Sequence, residues 1–183
     1  ALEDALRKEN IPYRVIGGIK FYERKEVKDM LAYLRLIVNE RDSLALSRII
    51  NVPARGIGAI TLKKLEDEAV KHNLSLAEMI ETILKTPDRF AGLKISSKIL
   101  TALDRLFSLI AETRLLDQGG TSPKFLYEKV LKESGYLEFL EANKDYETLS
   151  RIENLHELSS AIESFEKNIK TPTLSMFLET ITL

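Results

Sequence analysis

Apolar residues recur at helical spacing along most of the chain, and serine, proline, glycine and asparagine collect in the breaks between these runs. Leu2 to Lys8 reads as the end of a helix, and Asn10-Ile11-Pro12 breaks it. Tyr13-Arg14-Val15-Ile16 then runs extended into Gly17-Gly18 as the one short β segment the pattern supports. From about Glu23 the period becomes helical, with Val27, Met30, Leu31, Leu34, Ile37 and Val38 on one face and Lys25 and Asp29 spaced as an i,i+4 ion pair. Asn39 and Asp42 mark a turn, and Ser43 is placed to cap a shorter helix through Ile50. A glycine turn follows, then a helix to about His72. Ser75 caps a helix to about Leu84, and Thr86-Pro87-Asp88 begins a loop reaching Ser96 or Ser97. A long helix striped by Ile99, Leu103, Leu106, Leu109 and Ile110 ends at Gly119-Gly120. Ser122-Pro123 starts a helix to Ser134, Gly135 separates it from Tyr136 to Leu140, a long helix spans about Tyr146 to Asn168, and Thr171-Pro172 opens the last. No period repeats, so the expected fold is mainly α, a helical bundle with a small extended segment near its N-terminus.

Residues 52 to 61 carry the most functional information. They read as a helix, a tight Gly56-Ile57-Gly58 turn and a second helix, in the manner of a helix-hairpin-helix. Two glycines permit positive φ and leave the turn's N–H groups uncovered, while Ile57 pins it to the core. The unsatisfied amides and positive dipole end of the next helix favour an anion, and a nucleic-acid phosphate suits them. The plain alternative is that Gly56 and Gly58 simply end one helix and begin another. Arg55, Thr61, Lys63 and Lys64 favour the phosphate reading, because lysines near a helix N-terminus are unfavourable to the helix itself.

Composition narrows the chemistry. At 183 residues and 44% hydrophobic content the chain can bury a sizeable core, and it has no cysteine for a disulfide or thiolate site. His72 and His156 lack a second histidine at metal-binding spacing. No apolar run approaches the ~18 residues of a membrane span, no signal peptide is visible, and a cytoplasmic location is expected. Net charge is −1, yet residues 1–64 hold 13 Lys and Arg against 8 Asp and Glu while the remainder holds 14 against 20, so the basic part contains the glycine turn. The chain opens on Ala and stops at Leu183 within an apolar periodic stretch, as expected of a piece of a longer protein. Glu66, Asp67 and Glu68 are consecutive on one helix and point in different directions, so they form no dyad. Gly17-Gly18-Ile19-Lys20 lacks the GxxxxGK[ST] spacing of a triphosphate loop, so no ATP site, metal site or catalytic group is expected in this chain alone. Glycosylases with helix-hairpin-helix turns offer an enzymatic alternative. Ile60 stands where their lysine nucleophile would be, and Pro87-Asp88 is a poor match to their aspartate loop.

The run from Asn10 to Asp29, then Leu31-Ala32-Tyr33-Leu34-Arg35, resembles the stretch of UvrD/PcrA/Rep-type superfamily I DNA helicases where the chain leaves motor domain 2A and enters subdomain 2B. Arg48-Ile49-Ile50-Asn51-Val52-Pro53 leading into Arg55-Gly56-Ile57-Gly58 is similar to that family's duplex-contacting element, and Ser134-Gly135-Tyr136 and Ser150 to Leu155 continue the match in order. The resemblance implies that residues 1–22 are a remnant of domain 2A and residues 23–183 the mobile 2B subdomain. The parent would be an ATP-hydrolysing 3′-to-5′ helicase of DNA repair or replication using Mg2+, with ATP and Mg2+ held outside this piece. It implies contact with duplex or junction DNA through Arg55, Gly56, Ile57, Gly58, Thr61, Lys63 and Lys64. A secondary contact would lie near Ser134, Gly135 and Tyr136, where a helix C-cap is the plain alternative. It also implies a hinge involving Phe21, Tyr22, Arg24 and Glu26, where a well-capped core helix is the alternative. Implied partners are helicase domains 1A, 1B and 2A and accessory repair proteins, with no membrane. A helical protein-interaction or autoinhibitory module without direct DNA binding is the rival function.

Overall fold

A computed structural model describes residues 18–142 and 146–182, and every regular element among them is helical. The expected helix at Leu2–Lys8 and the β segment at Tyr13–Ile16 lie outside the described residues. In chain order the helices are α1 (Gly18–Tyr22), α2 (Lys25–Val38), α3 (Ser43–Ile49), α4 (Ala59–His72), α5 (Leu76–Lys85), a 3-10 run (Pro87–Leu93), α6 (Ser97–Gln118), α7 (Pro123–Glu133), α8 (Tyr136–Glu141), α9 (Tyr146–Asn168) and α10 (Leu174–Thr182).

Helix α2 is the central element, packed against α3, α6, α7, α9 and α10. Its stripe is buried as its spacing predicts, with Val27, Met30, Leu34 and Ile37 in the core, although Val38 at its end is open to solvent. Helices surround α2 on several sides, so its opposite face is buried too, including Tyr33 and Leu36. The C-terminal carbonyls of α2 are satisfied from a distance: Arg114 of α6 donates Nε to the Ile37 carbonyl at 2.9 Å and a second nitrogen to that of Leu36 at 2.7 Å, and it pairs with Glu40.

Local cap chemistry sets most of the boundaries. Ser75 and Glu78 form a complete capping box at the start of α5, Ser96 accepts from the Ile99 amide and Ser122 from the Phe125 amide. The start of α3 differs from expectation, since Asp42 rather than Ser43 is the cap, its carboxylate accepting from the Ala45 amide at 2.9 Å. The segment expected as a loop after Thr86 contains the 3-10 run, and Phe90 anchors it in the core. Asp29 also departs from its expected pairing. It is 1% exposed and binds Arg48 of α3 at 2.8 Å instead of Lys25 one turn away. A buried carboxylate needs a partner that reaches it inside the fold, and Arg48 does.

The start of α7 docks on α9 through carboxylates. Glu166 accepts from the Lys124 amide, and Glu163 takes the ammonium groups of Lys124 and Lys167, each at 2.6 Å. Those two lysines hold the Glu163 carboxyl at a pKa of about 2, below its ordinary 4.5. A depressed folded-state pKa contributes stability that is present above the ordinary value and lost as pH falls towards about 2. Thermal melts at stepped pH are therefore expected to fall more steeply below pH ~4.5 for the parent chain than for Glu163→Gln, which has no such proton to take up. Parallel profiles would remove this clamp from the account of acid lability.

Candidate nucleic-acid interface

Between α3 and α4 the chain forms a nonhelical connection, so Val52 to Arg55 do not make the expected helix. Asn51 organises it. Its side-chain oxygen accepts from the Arg55 amide at 2.7 Å and the Ile57 amide at 3.0 Å, an extended Asx arrangement that closes the loop around one oxygen. Ile57 is 2% exposed and fixes the turn to the core as expected.

The two glycines have different roles. Gly56 has φ +78°, a backbone state that L side chains adopt at a cost, while Gly58 has φ −77° and ψ 173°, which any residue accepts. The expectation of positive φ thus holds at Gly56 alone. A Cβ built on Gly58 would meet no atom within 4 Å, so neither backbone nor packing within the chain requires glycine there. Gly58 is the N-cap of α4 and offers no side chain to the first-turn amides. The N–H groups of Gly56, Gly58, Ala59, Ile60 and Thr61 meet no acceptor among the described residues. The expectation of bare amides fails at Ile57, whose N–H is taken by Asn51. Gly56, Gly58, Ala59 and Ile60 are all exposed, Ile60 at 78%. A row of unsatisfied amides at the positive end of a 14-residue helix favours an anion.

Arg55 does not reach outward. One guanidinium nitrogen donates to the carbonyls of Ile49 at 2.9 Å, Pro53 at 3.3 Å and Ile50 at 3.4 Å, and another donates to the Tyr33 hydroxyl at 2.7 Å. Tyr33, buried on α2, in turn donates to the Val52 carbonyl at 2.6 Å. Burial pushes the Tyr33 hydroxyl pKa up, partly offset by the Arg55 charge. Arg55 therefore ties the turn to α2, and its charge is committed within the fold. Of the remaining basic candidates, Lys63 pairs with Asp67 at 2.7 Å, and Lys64 reaches the Leu93 carbonyl at 3.5 Å. Thr61 is half-buried, and its hydroxyl has no partner among the described residues.

Ser134, Gly135 and Tyr136 lie on the supporting side of this element. The Ser134 hydroxyl donates to the Leu131 carbonyl at 3.5 Å and accepts from the Tyr136 amide at 3.3 Å, and Gly135 turns the chain at φ +75°. Tyr136 is buried and donates its hydroxyl to Asp29 at 2.8 Å. Burial and the Asp29 carboxylate beside it push the Tyr136 hydroxyl pKa up. A side chain enclosed in this way presents nothing to a duplex, so Tyr136 is corrected from a surface contact to a core support. The expected hinge residues form another network. Phe21 is buried with Arg24 above its ring at 5.5 Å, and Tyr22 is half-buried. Arg24 donates to the Asn154 side-chain oxygen and lies 3.9 Å from Glu157, while Asn154 donates to the buried Glu26 at 2.5 Å. These residues fasten the start of α2 to α9. Asn51, Tyr33, Asp29, Arg48 and Asn154 were not expected as site-building residues. Asn51 alone had a local signal, an Asx-capable residue just after a helix.

The chain belongs to the UvrD-like helicase C-terminal domain family, whose model matches residues 1–183. It is similar to the ATP-dependent DNA helicase PcrA of Staphylococcus epidermidis, 36% identical over 186 residues that cover 100% of this chain and 24% of that protein. The PcrA helicase of Staphylococcus aureus is 37% identical, with the same 100% and 24% coverage. The chain thus spans about a quarter of the length of these curated relatives.

Proposed function

We propose that residues 23–183 are a 2B-type regulatory subdomain, preceded in residues 1–22 by a remnant of domain 2A, within an ATP-dependent 3′-to-5′ DNA helicase of repair or replication. Its partners in that protein are domains 1A, 1B and 2A. Its contact with nucleic acid is a helix-hairpin-helix-like grip on the phosphate backbone of duplex or junction DNA, made by the amides at Gly56, Gly58, Ala59 and Ile60 with Thr61 and Lys64 beside them. Such a grip reads no bases and so carries no sequence preference. Lys63 joins it by exchanging an exposed carboxylate for a phosphate, and Arg55 holds the turn in shape.

The observation carrying this reading is Gly58. Its conformation suits any residue and the space around it is open, so the absence of a side chain serves something that approaches from outside. Amides without acceptors beside it supply the donors.

No GxxxxGK[ST] run occurs in the sequence, and no three His, Cys, Asp or Glu side chains gather among the described residues. In this reading the parent's motor domains hold ATP and Mg2+. No described helix is long and apolar enough to cross a membrane.

Titration of labelled duplex, single-stranded and junction DNA against the chain tests the reading. Duplex or junction is expected to bind better than single strand. With two or three phosphate contacts, the slope of log affinity against log salt is expected near −2 to −3, at about −0.9 per contact. A slope near zero, or preference for single strand, would overturn the proposal.

A further inference from the structure

A pocket of about 40 Å3 opens where the end of α2 meets α3, α5 and α6. It is separate from the glycine turn. Ile99 is the α6 side chain that approaches Gly56, and the pocket residues of that helix begin at Leu106, about 10 Å further along its axis. Leu36 of α2, Leu46 of α3 and Leu106 and Ile110 of α6 supply a buried apolar wall. Ala77 of α5 and Ala111 of α6 complete it with side chains too short to fill the space between their helices, and Ala111 is exposed, which brings the pocket to the surface.

Size and charge define what fits. At the ~10–15 Å3 that one water needs, the space holds about three waters or the tip of one leucine-sized side chain, far below the ~300 Å3 or more of pockets that enclose a small-molecule ligand. An apolar wall offers water few partners, so an aliphatic group gains by taking its place. The rim is acidic. Glu40 and Glu81 line it with side chains 53% and 43% exposed. Arg114 also lines the pocket, but its charge is committed to Glu40 and to the Leu36 and Ile37 carbonyls. Glu81 pairs with Lys85 at 3.6 Å, a surface contact that an incoming cation can replace. Residues 65–183 hold 14 Lys and Arg against 20 Asp and Glu, so this part of the chain attracts a basic partner and repels a second copy of itself.

We propose that this pocket docks a basic segment of a partner protein, which inserts one leucine-sized side chain between α5 and α6 and sets lysine or arginine side chains against Glu40 and Glu81. The buried aliphatic anchor supplies most of the affinity, and the rim charges select the sign of the partner. The site uses none of the residues assigned to the nucleic-acid grip, so it stands or falls independently of that reading.

The test titrates the 183-residue chain against a fluorescein-labelled peptide, Gly-Lys-Arg-Leu-Arg-Lys-Gly, by anisotropy, with methyl NMR to locate the contact. Saturable binding at about 0.1–1 mM is expected, the range for a single aliphatic anchor with exposed charge pairs, together with shifts of the Leu46, Leu106 and Ile110 methyl signals. Replacing the peptide leucine by serine is expected to weaken binding at least about tenfold. Ala111→Leu occupies the pocket from an exposed helical position that suits leucine, so it is expected to keep the parent's Tm and bind the peptide at least about tenfold more weakly. Glu81→Lys leaves the pocket open and reverses one rim charge, with a loss of about fivefold that shrinks as salt is raised. Equal binding to the parent and to both variants, or no saturable binding by the parent, would overturn the proposal. So would self-association of the chain without peptide that Ala111→Leu abolishes, because the occupant would then be a second copy.

Discussion

Gly58→Val is expected to melt close to the parent chain and to bind duplex DNA at least about tenfold more weakly, a loss of about 1.4 kcal/mol or more. The fold tolerates the change because φ −77° and ψ 173° lie in the region β-branched residues favour, and no atom is within 4 Å of the new Cβ. Losing glycine as N-cap costs α4 about 1 kcal/mol at most. Binding is more sensitive. The valyl group stands beside the free amides of Ala59 and Ile60 and holds a phosphate beyond hydrogen-bond distance. Thermal melts and anisotropy on the same preparation separate the two effects. Unchanged affinity in a folded Gly58→Val chain would remove the turn from the interface. Gly56→Val is a poorer probe, since its φ of +78° adds backbone strain of about 1–3 kcal/mol and mixes folding with binding.

Arg55→Lys is expected to do the reverse, lowering stability by about 2 kcal/mol, or roughly 4–8 °C in Tm for a domain of this size. The guanidinium serves three backbone carbonyls and the Tyr33 hydroxyl from one planar group. A lysine keeps the charge but offers a single point donor that cannot span these acceptors. If Arg55 were instead a phosphate contact, lysine would preserve stability and most of the affinity. Denaturant melts of Arg55→Lys and Arg55→Met distinguish the two roles. The assignment to turn support requires both variants to be destabilised, and a Tm within about 1 °C of the parent for Arg55→Lys would refute it.

These two residues show where sequence reading works and where it stops. Helix starts at Ser75, Ser96 and Ser122 were legible because a cap acts within three residues of itself. The α2 face was legible because four or five apolar residues at helical spacing have few alternatives. Direction was not legible. An arginine next to a glycine turn reads equally well as an outward clamp or an inward tie, and a tyrosine on another helix decided the matter. Asp29 was at the right spacing for Lys25, yet burial gave it to Arg48 and to Tyr136, which is 107 residues away.

Helix α2 is fastened at its start by Arg24, Asn154 and Glu26, at its end by Arg114, and midway to the glycine turn through Tyr33. It is a 14-residue rod of about 21 Å. In the proposed reading, tension on a held duplex would have a stiff strut to travel along rather than a slack tether, and it would arrive at the start of α2 where Arg24 and Glu26 meet α9.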